Sequence, residues 1–156
     1  MKKTLILLTL TVATTLTLTG CGIFSKTKSD VASFESAATN AGLQSLSIDG
    51  VSLPSNVEDY VVYHDADMTY QVEFYDLSNT TAAENLFNNL VDYVEDEEGM
   101  GTFTNSRVSS INYATNTYGS GDAYYYITRV DDTVFFGHTE SAGKDAVKAI
   151  SDAIGY

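Results

Sequence analysis

Two histidines stand beside carboxylates: His64 next to Asp65 and Asp67, and His138 near Glu140. Imidazole nitrogens and carboxylate oxygens are donors for zinc or copper. No paired spacing on a single element joins them, so they read as solvated positions at strand ends. Asp65-Ala66-Asp67 and the run Glu95-Asp96-Glu97-Glu98 offer oxygens of the kind calcium takes. Neither continues into a calcium loop with its glycine and bidentate glutamate, so both read as a weakly cation-attracting surface. Ser141 and Lys144, and Ser25 and Lys28, have the spacing of a Ser-x-x-Lys nucleophile. The first pair falls at a helix start, where serine caps, and the second in a flexible stem. A Gly-x-Ser-x-Gly elbow is absent, and Gly119-Ser120-Gly121 is too short to cradle a phosphate. Without a converging constellation, the expectation is a protein that is not an enzyme and uses no metal or cofactor.

The tyrosines carry the sharper reading. Tyr124-Tyr125-Tyr126 places aromatic rings on both faces of one strand, because successive side chains alternate. If Met68, Tyr70, Val72 and Phe74 face helices, then Glu73 and Tyr75 face away, and Tyr125 or Tyr124, with Arg129 or Thr128, can join them. Tyr and Arg are favoured in recognition surfaces because they combine apolar area with hydrogen bonding. Glu73, Tyr75, Tyr125 and Arg129 are therefore the candidate interaction surface. The competing reading is a far face that is amphipathic or covered by the first or last helix.

The elements that must position these residues follow from periodicity. Asp30 caps a first helix with Val31, Phe34, Ala38 and Ala41 on one stripe and Gly42 at its stop. Leu46, Ile48 and Val51 hint at a brief strand around Asp49-Gly50, ended by Pro54. Tyr60–His64 and Met68–Leu77 form a hairpin turned at Asp65-Ala66-Asp67, the second strand alternating with a period of two. Thr81 and Glu84 have the spacing of a capping box, and Ala83, Leu86, Phe87, Leu90, Val91 and Val94 line one face of a second helix running to about Glu95. Val108–Ala114, Ala123–Val130 and Thr133–His138 are three further strands, with Asn116–Asp122 as a loop and Asp131-Asp132 as a tight turn. Ala146, Val147, Ile150 and Ile154 stripe a last helix that Gly155 stops. The order α, ββ, α, βββ, α predicts an α+β domain: one antiparallel sheet of about five strands, with three helices mainly against one face.

The start of the chain has its own pattern. Lys2 and Lys3 precede an apolar stretch, Leu5–Leu18, too short for a permanent bilayer span. Leu18-Thr19-Gly20-Cys21 follows, ending in the only cysteine of the 156 residues. This layout resembles the signal of bacterial lipoproteins. The resemblance implies cleavage between Gly20 and Cys21 and a diacylglyceryl group on the Cys21 thiol; two acyl chains hold firmly where one binds reversibly. It gives a signal peptide at 1–20, a lipidated stem at 21–29 and a single domain at 30–156. The protein would then sit on the extracytoplasmic side of the cell membrane. The mature domain also resembles small uncharacterised lipoproteins of Gram-positive bacteria, through Tyr70-Gln71-Val72-Glu73-Phe74-Tyr75, the Ala83–Leu90 helix, Arg129–Val134 and the ending Ala153-Ile154-Gly155-Tyr156. That likeness implies a fold and an anchor and brings no activity with it.

Charge narrows the partners. Residues 21–156 keep six of the eight basic residues and all 21 acidic ones, a formal charge of −15. Such a field repels a phosphate backbone, so nucleic acid is not an expected partner. The expected function is a lipid-anchored, non-enzymatic module that binds a protein or a component of the cell envelope. The alternative is a lipoprotein that binds a small ligand or cation.

Overall fold

The computed structural model describes residues 25–48, 50–98 and 104–156. The signal segment, Gly20 and Cys21 lie outside the described residues. Among those described, no helix is long and apolar enough to cross a membrane.

Eleven elements follow one another: α1 (Val31–Asn40), β1 (Gln44–Leu46), β2 (Val57–His64), β3 (Tyr70–Leu77), α2 (Thr80–Glu98), β4 (Thr104–Ser109), β5 (Tyr113–Gly119), β6 (Ala123–Val130), β7 (Thr133–Glu140), a 3-10 turn (Ser141–Gly143) and α3 (Lys144–Ala153). The strands make one sheet in the order β1-β2-β3-β7-β6-β5-β4, every neighbouring pair antiparallel. The fold is α+β with one antiparallel sheet and three helices.

The sheet has seven strands, not about five, in the order α-βββ-α-ββββ-α. The brief strand expected around Asp49-Gly50 lies earlier, at Gln44–Leu46, where it pairs with β2. The strand expected over Val108–Ala114 straddles a turn: β4 ends at Ser109 and β5 starts at Tyr113. Most of the expected Asn116–Asp122 loop is strand. Its Asn, Thr and Gly residues have turn-like composition, yet Ala114, Asn116 and Tyr118 alternate inward along β5. A buried asparagine hid the period of two.

The helices take both faces of the sheet: two share one face, as the expectation of mainly one face had it, and the third takes the other. On one face α1 and α3 pack over Val72, Phe74, Tyr124, Tyr126, Val130 and Phe135, with Phe34 at the centre. On the other, α2 lays Ala83, Phe87, Val91 and Val94 over Ala114, Tyr118, Ile127, Val134 and Phe136. The cause lies in the central strands β3, β6 and β7, which carry apolar side chains at odd and even positions alike. An antiparallel strand buried on both sides needs a helix on each.

Local chemistry sets the ends. Asp30 accepts from the Ser33 amide at 2.8 Å and caps α1. For α2 the cap is Asn79, whose Oδ1 accepts from the Ala82 amide at 2.9 Å, rather than Thr81. Met68, expected inside the strand, has φ 56° in the β2–β3 turn and is exposed. Asp65 builds that turn, accepting from the amides of Thr69 (2.8 Å) and Tyr70 (3.0 Å) and from the Thr69 hydroxyl (2.8 Å).

The stem, expected to be flexible, is tied to the domain from Lys26 onward. Asn112 exchanges two hydrogen bonds with the Lys26 backbone, and the Lys26 ammonium lies 5.4 Å from the Tyr113 ring centre. Lys28 bridges Asp132 at 2.7 Å and Asp76 at 3.3 Å, and the Ser29 amide donates to the Tyr156 hydroxyl.

Candidate functional site

Antiparallel register places side chains of neighbouring strands in rows across the α2 face. One row runs His64, Gln71, His138, Tyr125, Tyr118; the next runs Val62, Glu73, Phe136, Ile127; the third runs Tyr60, Tyr75, Val134, Arg129, Ala114. Helix α2 covers the middle and the β5–β6 side of these rows. Towards β3 it leaves a half-open groove of about 370 Å³, lined by Gln71, Glu73 and Tyr75 of β3, Tyr125 of β6, Phe136 and His138 of β7, and Leu90 and Tyr93 of α2.

Three of the four residues nominated from sequence therefore meet: Glu73, Tyr75 and Tyr125. Arg129 does not. It stands two strands from Tyr75 beyond Val134, is 5% exposed, donates to the Asp131 carbonyl at 3.1 Å and pairs with Glu84 of α2 at 3.6 Å. Its guanidinium fastens α2 to the sheet beside a separate small cavity. The face is also less open than expected, since α2, rather than the first or last helix, roofs part of it. Tyr75 and Tyr125 are half-buried, with rings forming groove walls rather than a flat patch.

Glu73 is the polar centre of the groove, 7% exposed. Its Oε2 accepts from the hydroxyls of Tyr60 (2.8 Å) and Tyr75, and its Oε1 accepts from Gln71 Nε2 at 2.7 Å. The Tyr60 and Tyr75 rings stack with centres 4.5 Å apart, which presents both hydroxyls to one oxygen. Burial, then the neighbouring Glu73 charge and its hydrogen bonds, pushes both phenols far above the ordinary 10. They remain neutral donors throughout the physiological range. Among the described residues Glu73 makes no ion pair, and neither Lys nor Arg lines the groove.

The aromatic walls are ordered by stacking. Tyr125 lies against His138 (4.7 Å between centres, 19° between planes) and against Phe136 (6.4 Å, 12°). Leu90 and Tyr93, three apart on α2, face them across the opening, and Tyr93 is 52% exposed.

The metal-ligating candidates stay apart. His64 and His138 share a face but flank Gln71, two strands from one another, and His64 Nδ1 contacts the Asp65 carbonyl at 2.6 Å. Among the described residues no three His, Cys, Asp or Glu side chains converge. Desolvation alone would raise the Asp65 carboxyl, but hydrogen bonds from Thr69 and Tyr70 outweigh it and hold it below its ordinary value. That carboxylate belongs to the turn.

Sequence reasoning missed Gln71, Tyr93 and Phe136 as groove residues and placed Leu90 in the core stripe. For Gln71 and Phe136 a signal existed: each shares the strand parity of a nominated neighbour or faces one across the ladder. For Tyr93 the only signal is its place three residues after Leu90.

No family model matches the sequence, and comparison with curated proteins finds no match. Among solved structures, the chain is similar to one described as a GTP binding regulator from Thermotoga maritima, at 12% identity and a TM-score of 0.49, over 81% of this chain and 87% of that one. At this identity and score, the likeness carries no assignment of function.

Proposed function

We propose that this protein is a lipid-anchored, non-enzymatic binding module on the extracytoplasmic side of the membrane, which engages a protein or envelope partner through the groove beside α2. The observation that carries the reading is a buried carboxylate, held by three neutral donors, at the centre of a half-open aromatic groove. Aromatic walls supply contact area at small entropic cost, and an exposed rim residue such as Tyr93 gives a partner access. The anchor half of the reading rests on the Leu18-Thr19-Gly20-Cys21 signal.

The concavity favours a second reading, a small-ligand lipoprotein, since about 370 Å³ lies within the range of small-molecule sites. Two experiments test the proposal on cells. Cys21→Ala should move the protein out of the membrane fraction; retention there would refute the anchor. A photo-crosslinker at Tyr93 should give a discrete adduct that the same probe at Lys148, exposed on α3, does not. Equal labelling from both positions, or none, would refute the groove.

A further inference from the structure

The groove has an unbalanced chemistry. Its one carboxylate is removed from water, yet every partner it has among the described residues is neutral: two phenols and an amide. The rings of Tyr75, Tyr93, Tyr125 and Phe136 line the same space. Their faces carry the negative side of the aromatic quadrupole and attract cations within about 6 Å of a ring centre. The chain outside the signal carries a formal −15, which draws basic partners and slows acidic ones.

Resting on the groove reading above, we propose that the groove receives the ε-ammonium of a lysine presented by a partner protein. The ammonium meets Glu73, and the four-carbon stem lies along Leu90, Phe136 and Tyr125. Geometry selects lysine over arginine. A carboxylate has about four lone-pair sites. Glu73 Oε2 already accepts twice and Oε1 once. One site is left, on a single oxygen. A guanidinium fork needs both oxygens for its paired bonds, whereas an ammonium is a point donor that binds through one. The half-open mouth beside Tyr93 leaves the partner's main chain outside.

The test is calorimetric titration of the full chain, purified in a neutral detergent, with the capped peptides Gly-Lys-Gly, Gly-Arg-Gly and Gly-norleucine-Gly, and with tetramethylammonium. The lysine peptide should bind about tenfold more tightly than the norleucine peptide, which lacks only the charged head. Glu73→Gln should abolish that preference. Tyr93→Ala, at an exposed position that leaves the fold intact, should weaken lysine binding about fivefold. Equal binding of lysine and norleucine, preference for arginine, or binding of tetramethylammonium alone would overturn the assignment. A silent titration would overturn it too. A Tyr93 adduct on cells beside a silent titration would remove the lysine while leaving the groove; loss of both would remove the groove itself.

Discussion

At the scale of single residues, Glu73 holds the candidate site together. Glu73→Leu would leave the Tyr60 and Tyr75 hydroxyls and the Gln71 amide without their shared acceptor. Stranding buried donors is the costly direction, about 1–3 kcal/mol. Glu73→Gln keeps an acceptor oxygen and should cost less; equal melting temperatures for Glu73→Leu and the wild type would contradict the network. The same tyrosines set an alkaline limit. Burial raises Tyr60, Tyr70 and Tyr75 well above 10, and pushes Tyr124 up to about 12. A phenol whose folded value is raised contributes stability below its unfolded value of about 10 and loses it as pH rises. Melting temperature should therefore fall above pH 10. Absorbance at 295 nm should show a group of tyrosines that ionise only with unfolding; ionisation of all eleven near pH 10 in the folded protein would contradict it. Glu73 and Tyr75 were legible as a pair because a period of two puts them on one face of their strand, whereas the choice of Tyr125 over Tyr124 needed the register between strands. Arg129 has the same parity, but its fate depends on where Glu84 of α2 lands, which no strand pattern encodes.

At the scale of elements, how closely α3 and α2 approach the sheet decides what stays open. In β7, Gly137 lies directly beneath α3: a Cβ there would overlap Val147 Cγ1 and come 3.3 Å from Phe135 Cε1. Gly137→Ala should cost about 1–3 kcal/mol through overpacking, read as a lower denaturation midpoint. An unchanged midpoint would mean that α3 can shift freely on the sheet. The helices were readable from sequence because their apolar stripes are strong. The Asn79 cap was missed because two threonines follow it and Thr81 also offers a capping hydroxyl. The number of strands was missed for two reasons. Three-residue β1 is too short to show a period, and β4 is mostly polar. Sheet faces were misjudged because α2 resembles α1 and α3 in pattern: amphipathicity says that a helix covers something, not which side. The doubly apolar central strands β3, β6 and β7 held that information.

At the scale of the whole molecule, the stem couples the domain to its proposed anchor. From Cys21 to Lys26 there are five residues, a reach of at most about 18 Å. An anchor at Cys21 would therefore hold the sheet end that carries Asn112 and Asp132 near the membrane. Asn112→Ala should free the stem, because both hydrogen bonds to Lys26 depart. Trypsin should then cut after Lys26 and Lys28 faster, while the melting temperature moves little. Equal cleavage rates would mean that the stem does not depend on Asn112. The salt bridges of Lys28 are partly exposed and should add less than about 1 kcal/mol, fading with salt.

In the reading proposed here, this protein meets its partner at the groove beside α2. Photo-crosslinking from single positions on intact cells tests it most directly, with probes at Tyr93 on the groove rim, Val108 on the β4 edge and Lys148 on α3. The expected result is one discrete adduct from Tyr93 alone, lost when Glu73→Gln is added. Adducts of equal yield from Val108 or Lys148, or none from Tyr93, would contradict it; a Tyr93 adduct indifferent to Glu73 would remove the lysine and leave the groove.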